Sequence, residues 1–84
     1  MPSKPKKAPK LLATKLLKIR ENLKLSQSEM VLKMNVQNEI NRGKISEYER
    51  AQRIPQLHVL LAYARVAGTT MENLIDDNLE LFEK

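Results

Sequence analysis

Cysteine and tryptophan are absent from the 84 residues, histidine occurs once and glycine twice. Without cysteine, disulfide staples and thiolate metal sites are excluded. His58 alone leaves a histidine zinc site or a Ser-His-Asp triad hard to build. No stretch approaches the ~20 apolar residues that a membrane span needs. The basic N-terminus, Met1 to Pro9, lacks the apolar region of a secretory signal, so a cytoplasmic protein is expected. Aromatics are limited to Tyr48, Tyr63 and Phe82, too few for the stacking platforms used on single strands and RNA. Paired carboxylates in a plausible pocket, a nucleophile with a base and a phosphate-cradling loop are all lacking. An enzyme is therefore not expected, nor a cofactor, a metal or a small-molecule substrate.

What is present is basic charge, unevenly placed. The net charge is +5. Up to Arg53 there are 13 Lys and Arg against 5 Asp and Glu, a balance of +8. From Ile54 onward there are 2 against 5, a balance of −3. A polyanion is drawn to the first two-thirds of such a chain. Charge by itself is equally compatible with a solvated basic surface.

The chain has room for one domain, with a modest core that depends on helix packing or oligomerisation. Residues 1–9, with three prolines and three lysines, read as a flexible basic arm. Residues 10–76 read as the folded domain, and 77–84 as an acidic tail. In and just before that tail, Asp76, Asp77, Glu80 and Glu83 are expected to be solvated rather than metal-binding, with Leu79, Leu81 and Phe82 a candidate dimer seam. Sustained period-2 alternation is missing, and the spacing of apolar residues predicts an all-α fold of five short helices.

The first helix runs from about Lys10 to Leu23, with Leu12, Leu16, Ile19 and Leu23 inward and Lys15, Lys18 and Arg20 as polar interruptions. Ser26 and Glu29 form a capping box that starts a second helix reaching about Met34, with Met30, Val31 and Met34 inward. Asn35 to Asn41 reads as a connection. A third helix is expected over about Arg42 to Arg50, with Ile45 and Tyr48 inward. A fourth spans about Gln56 to Ala67, with Leu57, Leu60, Leu61 and Ala64 inward, and Gly68 ends it as a left-handed residue. Thr70 caps a fifth, Met71 to about Ile75.

Arg20, Leu25-Ser-Gln-Ser-Glu-Met30, Ile45-Ser-Glu-Tyr-Glu-Arg50, Pro55, Leu60-Leu61, Ala64 and Ala67-Gly68 together resemble the lambda-repressor-like (XRE/Cro-type) helix-turn-helix DNA-binding domain, over about residues 11–75. The likeness is closer to a bacterial subgroup with a longer linker before the recognition helix and a Leu-Ile-Asp-Asp ending, here Leu74 to Asp77. The resemblance implies a compact five-helix domain that regulates transcription by sequence-specific binding of double-stranded DNA, as a homodimer on a two-fold symmetric operator. The third helix would then enter the major groove. Arg42, Gly43 and Glu47 occupy the positions that face base edges. Arg42 could fork onto a guanine, and Glu47 could accept from a cytosine amino group. Gln27, Lys44, Ser46, Arg50 and Arg53 fall where the sugar-phosphate backbone is contacted. The basic arm is a second candidate contact with DNA. Arg20 and Glu49 match a scaffold ion pair between the first and third helices.

Two features depart from the family pattern. Val36 and Ile45 are separated by eight residues where four are usual, so the turn is about four residues longer. Either the loop lengthens, or the third helix extends backward toward Asn38. That leaves open which of Asn38, Asn41, Arg42 and Lys44 touches a base. Ala51 stands where the family has glycine, and alanine at a positive φ is strained, so a different local turn is an alternative. A protein-interaction module on the same fold, an adaptor or an antitoxin, is the rival function.

Overall fold

The structure, a computed structural model, describes residues 9–81. The basic arm, apart from Pro9, and Phe82 of the expected seam lie outside the described residues. Among the described residues the chain forms five helices and no strand: α1 Leu12–Leu23, α2 Gln27–Met34, α3 Arg42–Glu49, α4 Leu57–Ala67 and α5 Met71–Ile75. None is long and apolar enough to cross a membrane.

The helix ends follow from local chemistry. Ser26 Oγ accepts the Glu29 N–H at 3.0 Å, and the Glu29 carboxylate accepts the Ser26 N–H at 2.7 Å. These bonds satisfy two otherwise orphaned donors at the start of α2. The Ser26 backbone N–H, and then its hydroxyl, hold the Glu29 carboxyl below its ordinary range. Thr70 caps α5 through the Asn73 N–H, and Gly68 closes α4 at φ 71°. Lys24 and Asn35 close α1 and α2 in the same left-handed region.

Leu16, Ile19, Met30, Ile45, Val59, Tyr63 and Leu74 have under 2% of their surface exposed and form the centre of the core. Each of these aliphatic side chains contributes roughly 1.5–3 kcal/mol on burial. Helix α1 runs through the middle, against α3, α4 and α5, while α2 packs on α3 and α4. Ile45 is therefore the bolt of α3: truncation to alanine would cost about 2–5 kcal/mol and loosen the helix from its support.

The sequence reading is corrected in four places. Leu57 is 73% exposed, whereas Val59 and Tyr63 are buried, so the inward face of α4 is rotated from the expected one. Lys15 is no surface interruption: it is 6% exposed. Its ammonium donates to the carbonyls of Asn73, Asp76 and Leu79 at 2.6, 2.9 and 2.9 Å. The acidic tail is part of the fold over 77–81. Asp77 accepts the Lys10 and Leu11 N–H groups at 2.8 and 3.0 Å, Thr69 Oγ1 donates to the Leu81 carbonyl, and Leu81 is buried. That carboxylate serves the start of α1, where Leu11 provides no side-chain cap. Finally, Ala51 keeps the left-handed turn, at φ 61°. The Gln52 N–H to Glu47 carbonyl bond, 2.8 Å, closes the end of α3 around it.

Candidate nucleic-acid interface

Helix α3 is polar except for Ile45 and Tyr48, the two residues that bury it. Asn41 caps it, its Oδ1 accepting the Lys44 N–H at 3.2 Å. The helix therefore begins at Arg42, and the extra residues lengthen the loop rather than the helix. Arg42 and Gly43 are exposed in its first turn. A Cβ at position 43 would come within 3.1 Å of the capping Asn41 oxygen, so glycine leaves the cap undisturbed. Lys44, Ser46 and Glu47 are half-buried further along.

Glu47 is engaged within the protein. Its carboxylate accepts from Arg53 Nε at 3.0 Å and lies 3.6 Å from the Lys44 ammonium. The Arg53 hydrogen bond holds the Glu47 carboxyl below its ordinary range. Arg50 is exposed and turns its Nε toward the Ser46 carbonyl, 3.4 Å away. The structure thus brings Lys44, Glu47 and Arg53 into one charged cluster, with Arg42 outside it.

Arg20 and Glu49 meet in a two-pronged ion pair. Nε donates to Oε2 at 2.6 Å and Nη2 to Oε1 at 2.9 Å. The side chains are only 18% and 5% exposed, and the hydrogen bond that the Arg20 guanidinium donates to Glu49 raises it above its ordinary value. Nη1 of Arg20 donates to the Leu25 carbonyl at 2.9 Å, and Gln27 Nε2 donates to Glu49 Oε1 at 3.2 Å. The half-buried Arg20–Glu49 pair thereby ties α1, the link before α2, the first residue of α2 and the last of α3. Gln27 keeps a second amide N–H for another acceptor.

Sequence reasoning missed the roles of three further residues, His58, Glu39 and Asn41. His58 Nε2 lies 2.6 Å from Glu39 Oε1 and joins the start of α4 to the lengthened turn. The cap by Asn41 carried a signal that could have been read, since asparagine three residues before a backbone donor is a common helix start. The His58–Glu39 contact carried none, because 19 residues separate the partners. Among the described residues no group of His, Asp or Glu could hold a metal ion.

Comparisons with known proteins agree with this geometry. A family described as Helix-turn-helix matches residues 16–74. Among solved structures, the P22 c2 repressor protein, crystallised in complex with synthetic operator 9T in the presence of Tl+, superimposes with a TM-score of 0.70. It is 20% identical, and the match covers 81% of this chain and 97% of that one. At that identity the likeness speaks for the fold. No curated protein sequence matches the chain.

Proposed function

The chain belongs to the lambda-repressor-like helix-turn-helix family of DNA-binding domains, and from that premise we propose that it regulates transcription by reading a specific operator with α3. It does so in the cytoplasm as a homodimer on a two-fold symmetric site, each α3 lying in the major groove. Its work is binding, without a chemical step.

The observation that carries this reading is how α3 is held. Ile45 and Tyr48 bury one face, the Arg20–Glu49 pair fixes the helix end, and Asn41 caps the start. What remains is an outward series, Arg42 and Gly43 exposed and Lys44, Ser46 and Glu47 half-buried. Arg42 and Gly43 approach base edges. Glu47 reads a cytosine amino group by exchanging one of its internal cations for that donor. Lys44, Ser46, Arg50, Arg53 and the second N–H of Gln27 engage phosphates. Such contacts set the position of α3 on the duplex, while the base edges set the sequence.

Selection of bound duplexes from a random pool, followed by titration at several salt concentrations, tests this. The expected result is one enriched two-fold symmetric motif and a log K that falls by roughly 0.9 per log unit of salt for each phosphate neutralised. A flat salt response, or equal affinity for the selected and random duplexes, would overturn it. Sedimentation with and without operator tests the homodimer: a complex with one protein chain per operator would refute that part.

A further inference from the structure

The lengthened turn between α2 and α3 is pinned on its inner side. Val36 is 5% exposed, and Ile40 packs against the core. The Val36 carbonyl accepts both the Glu39 and Ile40 N–H groups, at 2.9 and 3.0 Å. Glu39 is held to His58 at 2.6 Å. A segment with so many attachments keeps its shape, so its outer groups are already in place for a partner.

The outer side is a row of amides. Gln37, Asn38 and Asn41 are exposed. With Glu39, Ile40 and Lys44 they line an open concavity of about 240 Å³. Asn41 spends its oxygen on the α3 cap, and Gln37 uses one N–H on Asn35 at 3.3 Å. Each therefore retains amide N–H donors. Lys44 adds a cation, held by Glu47 only at 3.6 Å. Glu39 is the opposing charge in the hollow, and its Oε1 is turned to His58.

Resting on the DNA-binding reading above, we propose that this concavity seats one phosphate of the duplex backbone, a contact created by the lengthened turn. Several amide donors, one cation and an open, polar hollow suit a tetrahedral oxyanion. The hollow adjoins the first turn of α3, so a phosphate seated there flanks the groove that α3 enters. The contact fixes the angle and register of α3 without itself reading a base. The turn thus works as a clamp on the backbone, with Asn38 among its exposed amides.

The test uses the full chain, its selected operator and two variants at an exposed site, Asn38→Lys and Asn38→Asp, with helicity measured as a folding control. Asn38→Lys should steepen the salt slope of log K by about 0.9, one additional phosphate neutralised. Asn38→Asp should weaken binding about tenfold at low salt, and ethylation interference should lose one backbone phosphate relative to the unsubstituted chain. An unchanged slope in Asn38→Lys, with operator binding by the unsubstituted chain intact, would overturn the phosphate seat alone. Failure of the unsubstituted chain to bind any duplex would overturn the seat together with the reading on which it rests.

Discussion

Replacing Arg20 by methionine removes a guanidinium and keeps most of its length. The structure sets the cost. Glu49 is 5% exposed and loses both of its arginine hydrogen bonds, the Leu25 carbonyl loses its donor, and only the Gln27 amide remains on the carboxylate. Breaking one side of a buried pair costs about 3–5 kcal/mol, because the other charge is left unpaired. For 84 residues the whole stability is of order 4–12 kcal/mol, so the variant should lose a large part of it. At about 4–8 °C per kcal/mol for a domain of this size, the Tm should fall by about 12–40 °C. Urea unfolding followed by helical circular dichroism would measure the loss, and the double variant Arg20→Met/Glu49→Leu separates its causes. With both charges gone, no carboxylate is stranded, and stability should return to within about 1 kcal/mol of the starting protein. Operator affinity should not return with it, because Gln27 has lost the acceptor that orients it. Single variants that each cost under about 1 kcal/mol would refute the electrostatic argument. A double variant with full operator affinity would refute the positioning of Gln27.

Four more outcomes follow from the geometry. Ala51→Gly relieves a left-handed alanine that costs about 1–2 kcal/mol, offset partly by the greater freedom of glycine in the unfolded chain; a net gain of about 0.5–1 kcal/mol should appear as a higher urea midpoint, and a lower one would contradict the strain. Lys15→Met takes the ammonium from three carbonyls, of which the Asn73 one is buried and the Asp76 one keeps the Leu79 N–H; a loss of about 2 kcal/mol, or roughly 10 °C in Tm, is expected, and an unchanged Tm would count against it. Tyr63 has a buried hydroxyl with no hydrogen-bond partner among the described residues, and burial raises it well above the ordinary tyrosine value; Tyr63→Phe should therefore be neutral or stabilising by up to about 1 kcal/mol, and a loss larger than that would reveal a partner. The Leu11 and Lys10 N–H groups depress the Asp77 carboxyl, so its stabilisation is present above the unfolded carboxylate value near 4 and is lost as the pH falls through the lower folded value; between pH 7 and pH 3 the urea midpoint of Asp77→Asn should fall less than that of the unsubstituted protein, and equal falls would exclude the linkage.

What could be read from the sequence was local. The Ser26–Glu29 box, the Thr70 cap and the Gly68 stop each depend on residues within a few positions, and the helices lie within two residues of where those signals put them. The turn before α3 was ambiguous because Asn38 and Asn41 both suit a helix start, and only Val36 and Ile40 in the core decide for the later one. Lys15 was misread for the opposite reason. It shares the α1 face of Leu12, Leu16 and Ile19, but its acceptors lie 58 to 64 residues away. A lysine among leucines looks like an interruption until the carbonyls that receive it are known. The tail was misread with it, since its negative charge suggested water while Asp77 was serving α1. Within the site, the residue types of α3 were legible. The engagement of Glu47 by Arg53 was not, because the chain must turn through Ala51 to bring the two together.

Asp77 has one more consequence. By holding the amides of Lys10 and Leu11, it brings the start of α1 and the segment that follows α5 to the same spot, so the domain is close to a closed ring. The segment entering α1 and the segment following α5 therefore meet, 67 residues apart along the chain. The two could be spliced by a short linker and the ring cut at another exposed loop, with little change in what the core holds together.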